Sequence, residues 1–242
     1  MTPIVFSSDS SMAAAAIIQE DGKWVRLWNV ENGVERSKIG PLAGDPVACT
    51  FVEFNQQLVT VCWVDPMQAP IFTTMDWVDS HETSEPIFGG LLKSVEHANR
   101  IAIETWDVAT GKRIQGVMGP HIEQSFEPKG SIDLSGRFFA WTPKFIQPPG
   151  SPGRHQVQIV DLKDGKSIFT LAGHSKLIHG LKFSPDSKRL ATWGDDGVCI
   201  LWNTFSGEEV YRLTKLSDAI LTEDFSSEGK KLATSGRGSR SV

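Results

Sequence analysis

The stretch Leu171–Asn203, LAGHSKLIHGLKFSPDSKRLATWGDDGVCILWN, decides how the whole chain is read. It holds two short alternating runs, LIHGLKF and KRLATW, joined by SPDS, and a third run, VCILW, after GDDG. Each run has the length of a strand and falls short of a helix. Pro, Asp, Ser and Gly stand where antiparallel strands reverse. The unit is a three-stranded meander, and SGEEVYRL beyond it supplies a fourth strand. A sheet of this size hides little apolar surface by itself and has to stack on copies of itself.

The copies stand at fixed offsets. Phe183 and Thr192 are nine residues apart, as are Phe225 and Thr234, Phe51 and Thr60, Ile132 and Trp141, and Phe6 and Ala15. The place of Trp202 is taken by Trp28, Trp106 and Val160 in the other copies. Asn29, Asp107, Asp161 and Asn203 follow directly, each with a glycine four residues later: Gly33, Gly111, Gly165 and Gly207. The first anchors are spaced unevenly, by 45, 81, 51 and 42 residues. Most of the unevenness sits in one loop, since the step from Thr192 to Trp202 takes 10 residues but its equivalents take 13, 46 and 19. Without that excess the units are 42 to 45 residues long. A period near 42 with four strands per unit indicates a propeller blade rather than a helical solenoid.

These residues resemble the WD-repeat β-propeller family. Gly173-His174, the SPD turn, the DDG turn and the terminal Leu201-Trp202-Asn203 match its pattern in one blade, and the other copies match in spacing and partly in residues. The expected fold is all-β, with blades of four antiparallel strands forming one propeller domain. Blades are predicted at 3–40, 46–118, 129–172 and 176–214, with a partial fifth at 218–242. The Trp202 equivalent of the fifth copy falls beyond Val242, so four complete blades and part of another are expected in a ring that does not close. That pattern predicts a fragment of a larger propeller, completed by the remaining blades of the full-length protein. The expected blade-core positions are Phe6, Trp28, Phe51, Trp106, Ile132, Phe183 and Phe225.

Composition narrows the function classes. With 40% apolar and 22% charged residues, 242 residues are enough for a substantial core. Net charge is −5 and Lys and Arg are scattered, so no basic stripe points to a nucleic-acid partner. Lys230-Lys231 reads as a solvated hairpin turn. Cys49, Cys62 and Cys199 lie inside predicted strands without metal-ligand spacing, which reads as core residues in a reducing compartment. No run approaches the roughly 18 apolar residues of a membrane span. The N-terminal AAAAII run is too short and lacks a charged leader for a signal peptide, and it reads as a blade strand. The expected localisation is cytoplasmic, with no membrane contact.

Two insertions interrupt the pattern, 65–99 and 143–155, both between the second and third strands of their blades. The first is far longer than an ordinary connection yet carries apolar residues. It reads either as an accessory hairpin capping its own blade or as a partner-binding arm with Phe72, Trp77 and Phe88 as anchors. Phe145 in the second insertion joins them as a candidate. The resemblance places both insertions on the face commonly used for binding in the family.

The resemblance also implies a buried hydrogen-bonded chain of His174, Thr192, Asp196 and Trp202. Indole N–H only donates, hydroxyl and neutral imidazole do both, and the carboxylate ends the chain as acceptor. A Thr–His–Asp set invites a catalytic-triad reading. It is rejected because the same set recurs as a structural feature of the family and no oxyanion site is implied. The other copies carry Leu42, Glu123 and Leu216 at the histidine position and are expected to rely on apolar packing.

The function favoured is a non-catalytic scaffold presenting loops to a protein or peptide partner, with no cofactor and no metal. A sensor or docking propeller of a larger bacterial regulatory protein, such as a protein kinase, is an alternative. A propeller enzyme of glycosidase or lactonase type is another, with Glu53 and Asp133 as its carboxylates, although both sit at turn positions. His81, His97, His121, His155 and His179 show no short ligand spacing and read as surface or packing residues.

Overall fold

The computed structural model describes residues 4–52, 56–64, 77–79, 99–122, 129–142, 155–214 and 219–237. Among them there is no helix. The chain packs as two compact units, 1–124 with 161–166, and 125–160 with 167–242.

In the first unit β1 (Val5–Phe6), β2 (Met12–Gln19), β3 (Gly22–Asn29) and β4 (Glu35–Ile39) form an antiparallel sheet in chain order. The second sheet has β5 (Asp45–Val52), β6 (Gln57–Val64), β7 (Trp77–Asp79), β8 (Asn99–Asp107) and β9 (Arg113–Ile122). Their spatial order is β5-β6-β8-β9-β7. The expected four strands are therefore joined by a fifth. Strand β7 comes from the long insertion and runs parallel to β9, Trp77 opposite Gly116 and Asp79 opposite Met118.

The second unit repeats the design. Strands β10 (Lys129–Ile132), β11 (Phe138–Thr142), β12 (Gln156–Asp161) and β13 (Ser167–Ala172) make the third sheet. The fourth consists of β14 (Ile178–Phe183), β15 (Arg189–Gly194), β16 (Cys199–Asn203) and β17 (Glu209–Leu213). A two-stranded sheet, β18 (Ala219–Phe225) with β19 (Leu232–Arg237), completes it.

The register shows what the nine-residue spacing means in space. Phe6 pairs with Ala13, Phe51 with Leu58, Ile132 with Phe139, Phe183 with Leu190 and Phe225 with Leu232. The third strand adds Trp28 opposite Ala13, Trp106 opposite Leu58 and Trp202 opposite Leu190. Directly opposed residues share a face, so each triplet looks in one direction. Phe51, Leu58 and Trp106 are buried with Met12, Ala14, Val25 and Leu27 of the first sheet. Phe183, Leu190 and Trp202 are buried with Phe138, Ala140, Val157 and Ile159 of the third. The triplet face thus looks back toward the preceding sheet of the same unit.

That direction corrects the reading of Phe6. It occupies the right register but is 59% exposed, because within its unit no sheet precedes the first one. Val5, on the opposite face of β1, is the residue that packs into the core. Trp28, Ile132 and Phe225 are half-buried.

One glycine is dictated by packing. A Cβ on Gly180 would lie 2.3 Å from the Trp193 ring, which crosses β14 directly over the bare backbone.

These positions separate by truncation. Leu190→Ala, at a fully buried site, is expected to cost roughly 2–5 kcal/mol. Phe6→Ala is expected to change stability by no more than about 0.5 kcal/mol. Urea midpoints of the two variants check both values.

Candidate functional site

The polar cluster of the fourth sheet is assembled from four places in the chain. His174 comes from the connector after β13, Thr192 from β15, Asp196 from the turn after β15, and Trp202 from β16. The indole N–H of Trp202 donates to Thr192 Oγ1 at 2.9 Å. His174 Nε2 lies 2.8 Å from the same oxygen, and its Nδ1 lies 2.9 Å from Asp196 Oδ2. A carboxylate accepts only, so Nδ1 carries the proton toward Asp196, and in the neutral ring Nε2 accepts from the Thr192 hydroxyl. Asp196 also accepts backbone N–H groups from Ser175 at 3.0 Å and Val198 at 3.2 Å. Burial works against ionisation of this carboxyl, but the Ser175 N–H and His174 outweigh it and hold its pKa below the usual carboxylate value.

The arrangement ties connector, strand and turn together. It offers no nucleophile to a substrate, because Thr192 is 0% exposed and its oxygen is already committed to the indole.

The second sheet does not rely on apolar packing alone, contrary to expectation. Trp106 Nε1 donates to Thr60 Oγ1 at 3.0 Å, the counterpart of the Trp202–Thr192 bond. No histidine follows. Instead Glu104, fully buried on β8, accepts the Ala43 backbone N–H at 3.1 Å with Oε2. Its Oε1 meets Arg113 of β9 at 3.3 Å, and the Cys62 thiol is 3.9 Å from Oε2. Burial pushes the Glu104 carboxyl above its ordinary range, opposed by the Ala43 N–H and the Arg113 guanidinium. A carboxylate inside the blade therefore pins the incoming connector, as His174 does in the fourth sheet. The Thr60 and Trp106 spacing already contained half of this signal. Glu104 itself looked like any outward strand residue.

A second buried carboxyl lies between the fourth sheet and the β18–β19 pair. Glu223 is buried, Cys199 donates its S–H to Oε2 at 3.2 Å, and Oε1 has no hydrogen-bond partner. Burial raises its pKa to about 7 against the weak pull of the thiol. In the same layer Trp193 is buried with its N–H unpartnered. Cys49, Cys62 and Cys199 are all buried free thiols, and burial raises the pKa of each.

The other candidates are dispersed. Phe72, Phe88, Phe145, Glu53, His81 and His97 lie outside the described residues. Trp77 opens β7. Asp133 is fully buried and caps its own turn, accepting the N–H groups of Phe138 at 2.6 Å and Arg137 at 2.8 Å. His121 lies on β9 and His155 precedes β12. His179 meets Asp195 at 2.5 Å. Among the described residues, no group of three or more His, Cys, Asp or Glu side chains could hold a metal ion, and no helix is long and apolar enough to cross a membrane.

Stacked four-stranded antiparallel sheets with this register are propeller-type blades. Residues 165–203 match the family model "WD domain, G-beta repeat". That segment, the third-strand turn of the third sheet through β16, is thus similar to the WD repeat. The chain is 26% identical over 136 residues to Protein FIZZY-RELATED 3 of Arabidopsis thaliana, covering 56% of this chain and 26% of that one. It is 22% identical over 232 residues to Periodic tryptophan protein 2 of Arabidopsis thaliana, covering 96% of this chain and 20% of that one. It thus spans about a quarter or less of those relatives. Its fold matches a chain in the crystal structure of the mitotic checkpoint complex with a TM-score of 0.56 and 15% identity, over 98% of this chain and 56% of that chain.

Two measurements test the polar groups. Thr192→Val leaves the Trp202 N–H and His174 Nε2 buried without their shared partner, which is expected to cost roughly 2–3 kcal/mol in a denaturant titration. For Glu223 the folded pKa of about 7 lies above the ordinary 4.5. The folded state therefore holds the proton more tightly, and this group's contribution to stability falls as pH rises across that window. Melting temperatures of Glu223→Gln minus those of the native chain are expected to climb from pH 5 to pH 7.5 and then level.

Proposed function

We propose that this protein is a non-catalytic interaction scaffold whose blades hold insertion loops in place for a protein or peptide partner. The observation that carries the reading is where the insertions enter. Residues 65–98 leave and rejoin the second sheet between β6 and β8, and 143–155 do the same between β11 and β12 of the third. Both pairs of flanking strands are rich in buried side chains, which makes them rigid supports for variable loops. The comparisons support the reading, since several similar proteins are named for their WD repeats and one similar chain comes from a structure of a multi-protein complex. The candidate anchors are Phe72, Trp77 and Phe88 in the first insertion and Phe145 in the second. The partner is proteinaceous, and no cofactor is invoked.

The enzyme alternative loses one of its carboxylates to structure. Asp133 is occupied by the N–H groups of its own turn, as a capping residue is.

The test uses the full chain as bait in quantitative affinity enrichment, with the triple variant Phe72→Ser, Trp77→Ser, Phe88→Ser as comparison. Specifically enriched proteins are expected to fall at least about ten-fold with the triple variant, the loss that hot-spot anchors produce, while the melting temperature is retained. Equal enrichment by both baits would overturn the assignment of the anchors.

A further inference from the structure

The turn after the third strand is built alike in the four complete sheets. Its glycine N–H bonds back to a carbonyl at 2.8 to 3.0 Å: Gly33 to Asn29, Gly111 to Asp107, Gly165 to Asp161 and Gly207 to Asn203. The side chain just before that glycine accepts the N–H of the residue just after it. Asn32 Oδ1 takes the Val34 N–H and Asp164 Oδ1 that of Lys166, both at 3.0 Å. The hydroxyls of Thr110 and Ser206 take those of Lys112 and Glu208, both at 3.4 Å. Such local bonding is why these residue types occupy turns.

Only Asn32 among the four is a carboxamide, and Asn32-Gly33 is the one Asn-Gly pair in the sequence. That pair can cyclise. When hydroxide removes its proton, the Gly33 amide nitrogen attacks Cγ of Asn32 and forms a new C–N bond. The side-chain amide then leaves as ammonia with a proton from water, and a succinimide ring remains. Water opens either carbonyl of that ring, giving aspartate or isoaspartate. Glycine favours the attack because no Cβ crowds its nitrogen. Thr110 and Ser206 offer no carbonyl carbon to attack, and Asp164 has no ammonia to lose.

Packing separates the turns further. A Cβ on Gly207 would lie 2.6 Å from the Phe169 ring of β13, and one on Gly165 would lie 2.9 Å from the Met118 carbonyl of β9. One on Gly111 would lie 3.6 Å from the Lys38 carbonyl of β4. A Cβ on Gly33 would meet nothing within 4 Å among the described residues. Glu31, Asn32, Gly33 and Val34 are all exposed, whereas Gly165 is buried. Opening the Asn32 turn therefore breaks its own hydrogen bonds and no packing, while the others must also leave a neighbouring strand.

We propose that Asn32 is a site of spontaneous deamidation, slowed by the Gly33–Asn29 bond and released by brief opening of the turn between β3 and β4. The product places a new carboxylate beside Glu31. In the isoaspartate form the main chain gains a carbon, so the Gly33 N–H no longer meets the Asn29 carbonyl in register. The reaction involves no insertion loop, so it stands or falls separately from the proposed function.

The full chain carrying Asp164→Asn puts the same dipeptide into one open and one packed turn. Its folded form is held at pH 8 and sampled over weeks by peptide mapping with mass spectrometry. Position 32 is expected to convert at least about ten-fold faster than position 164, the ratio set by the added cost of opening the packed turn. In the same chain unfolded in urea, the two positions are expected to convert at similar rates, both faster than position 32 does in the fold. The unsubstituted chain, folded and unfolded, supplies the position 32 comparison without any change to the third sheet. Equal folded rates at the two positions would overturn the proposal. So would an unsubstituted folded chain whose Asn32 stays intact while the unfolded chain converts, or one whose Asn32 converts as fast folded as unfolded.

Discussion

A sheet of four short strands has two faces and cannot hide either one alone. Everything else in this structure follows from that constraint. In the first unit the space between two sheets is filled by Met12, Ala14, Val25 and Leu27 against Phe51, Leu58 and Trp106. In the second, Phe138, Ala140, Val157 and Ile159 meet Phe183, Leu190 and Trp202. The Val, Leu, Ile, Met and Phe side chains among them each contribute about 1.5–3 kcal/mol on burial, whereas a neutral hydrogen bond nets about 1 kcal/mol. Stacking therefore drives association, and the polar bonds decide how the stacked pieces are aligned.

That division explains why one register recurs under different residues. The anchor residue, its partner seven positions later and the tryptophan of the third strand must share a face, since all three serve the same gap between sheets. A phenylalanine or isoleucine can hold the first place and a leucine, alanine or phenylalanine the second. The tryptophan then reaches one pair of residues further along and finds a threonine hydroxyl in the second and fourth sheets. In the first sheet the corresponding residue is Ala15, and Trp28 is half-buried there.

Much of the fold was legible because this geometry writes itself into spacing. The nine-residue step from Phe183 to Thr192, repeated in four further copies, is a hairpin whose turn is fixed by Asp, Ser and Gly. Phe6 misled for a physical reason: spacing reports which face a residue looks toward but not whether a sheet stands there. Strand β7 was illegible because three residues pairing in parallel leave no period inside a long insertion. Glu104 was hidden by alternation, since a charged residue in a strand ordinarily reads as solvent-facing. Only the approach of Ala43 and Arg113 in space reveals why it is inside.

The two polar clusters solve one mechanical problem by different chemistry. A connector entering a blade has to be held against the second and third strands, or the sheet could slide by a residue pair without exposing more apolar surface. In the fourth sheet the His174 side chain on the connector reaches inward to Thr192, and the carboxylate stands at Asp196 in the turn, where backbone N–H groups stabilise it. In the second sheet the connector contributes only its backbone N–H at Ala43, so the reaching group has to come from the strand and has to be an acceptor. Glu104 meets that need, but its charge now sits inside the blade, and Arg113 on the neighbouring strand has to accompany it. The histidine version places its charge at the sheet's end, whereas the glutamate version ties connector pinning to a second residue on β9. That same strand carries β7 on its outer edge. The backbone that supports the insertion is thus the one whose neighbour holds the buried charge, and pinning of the connector and placement of the insertion share a single strand.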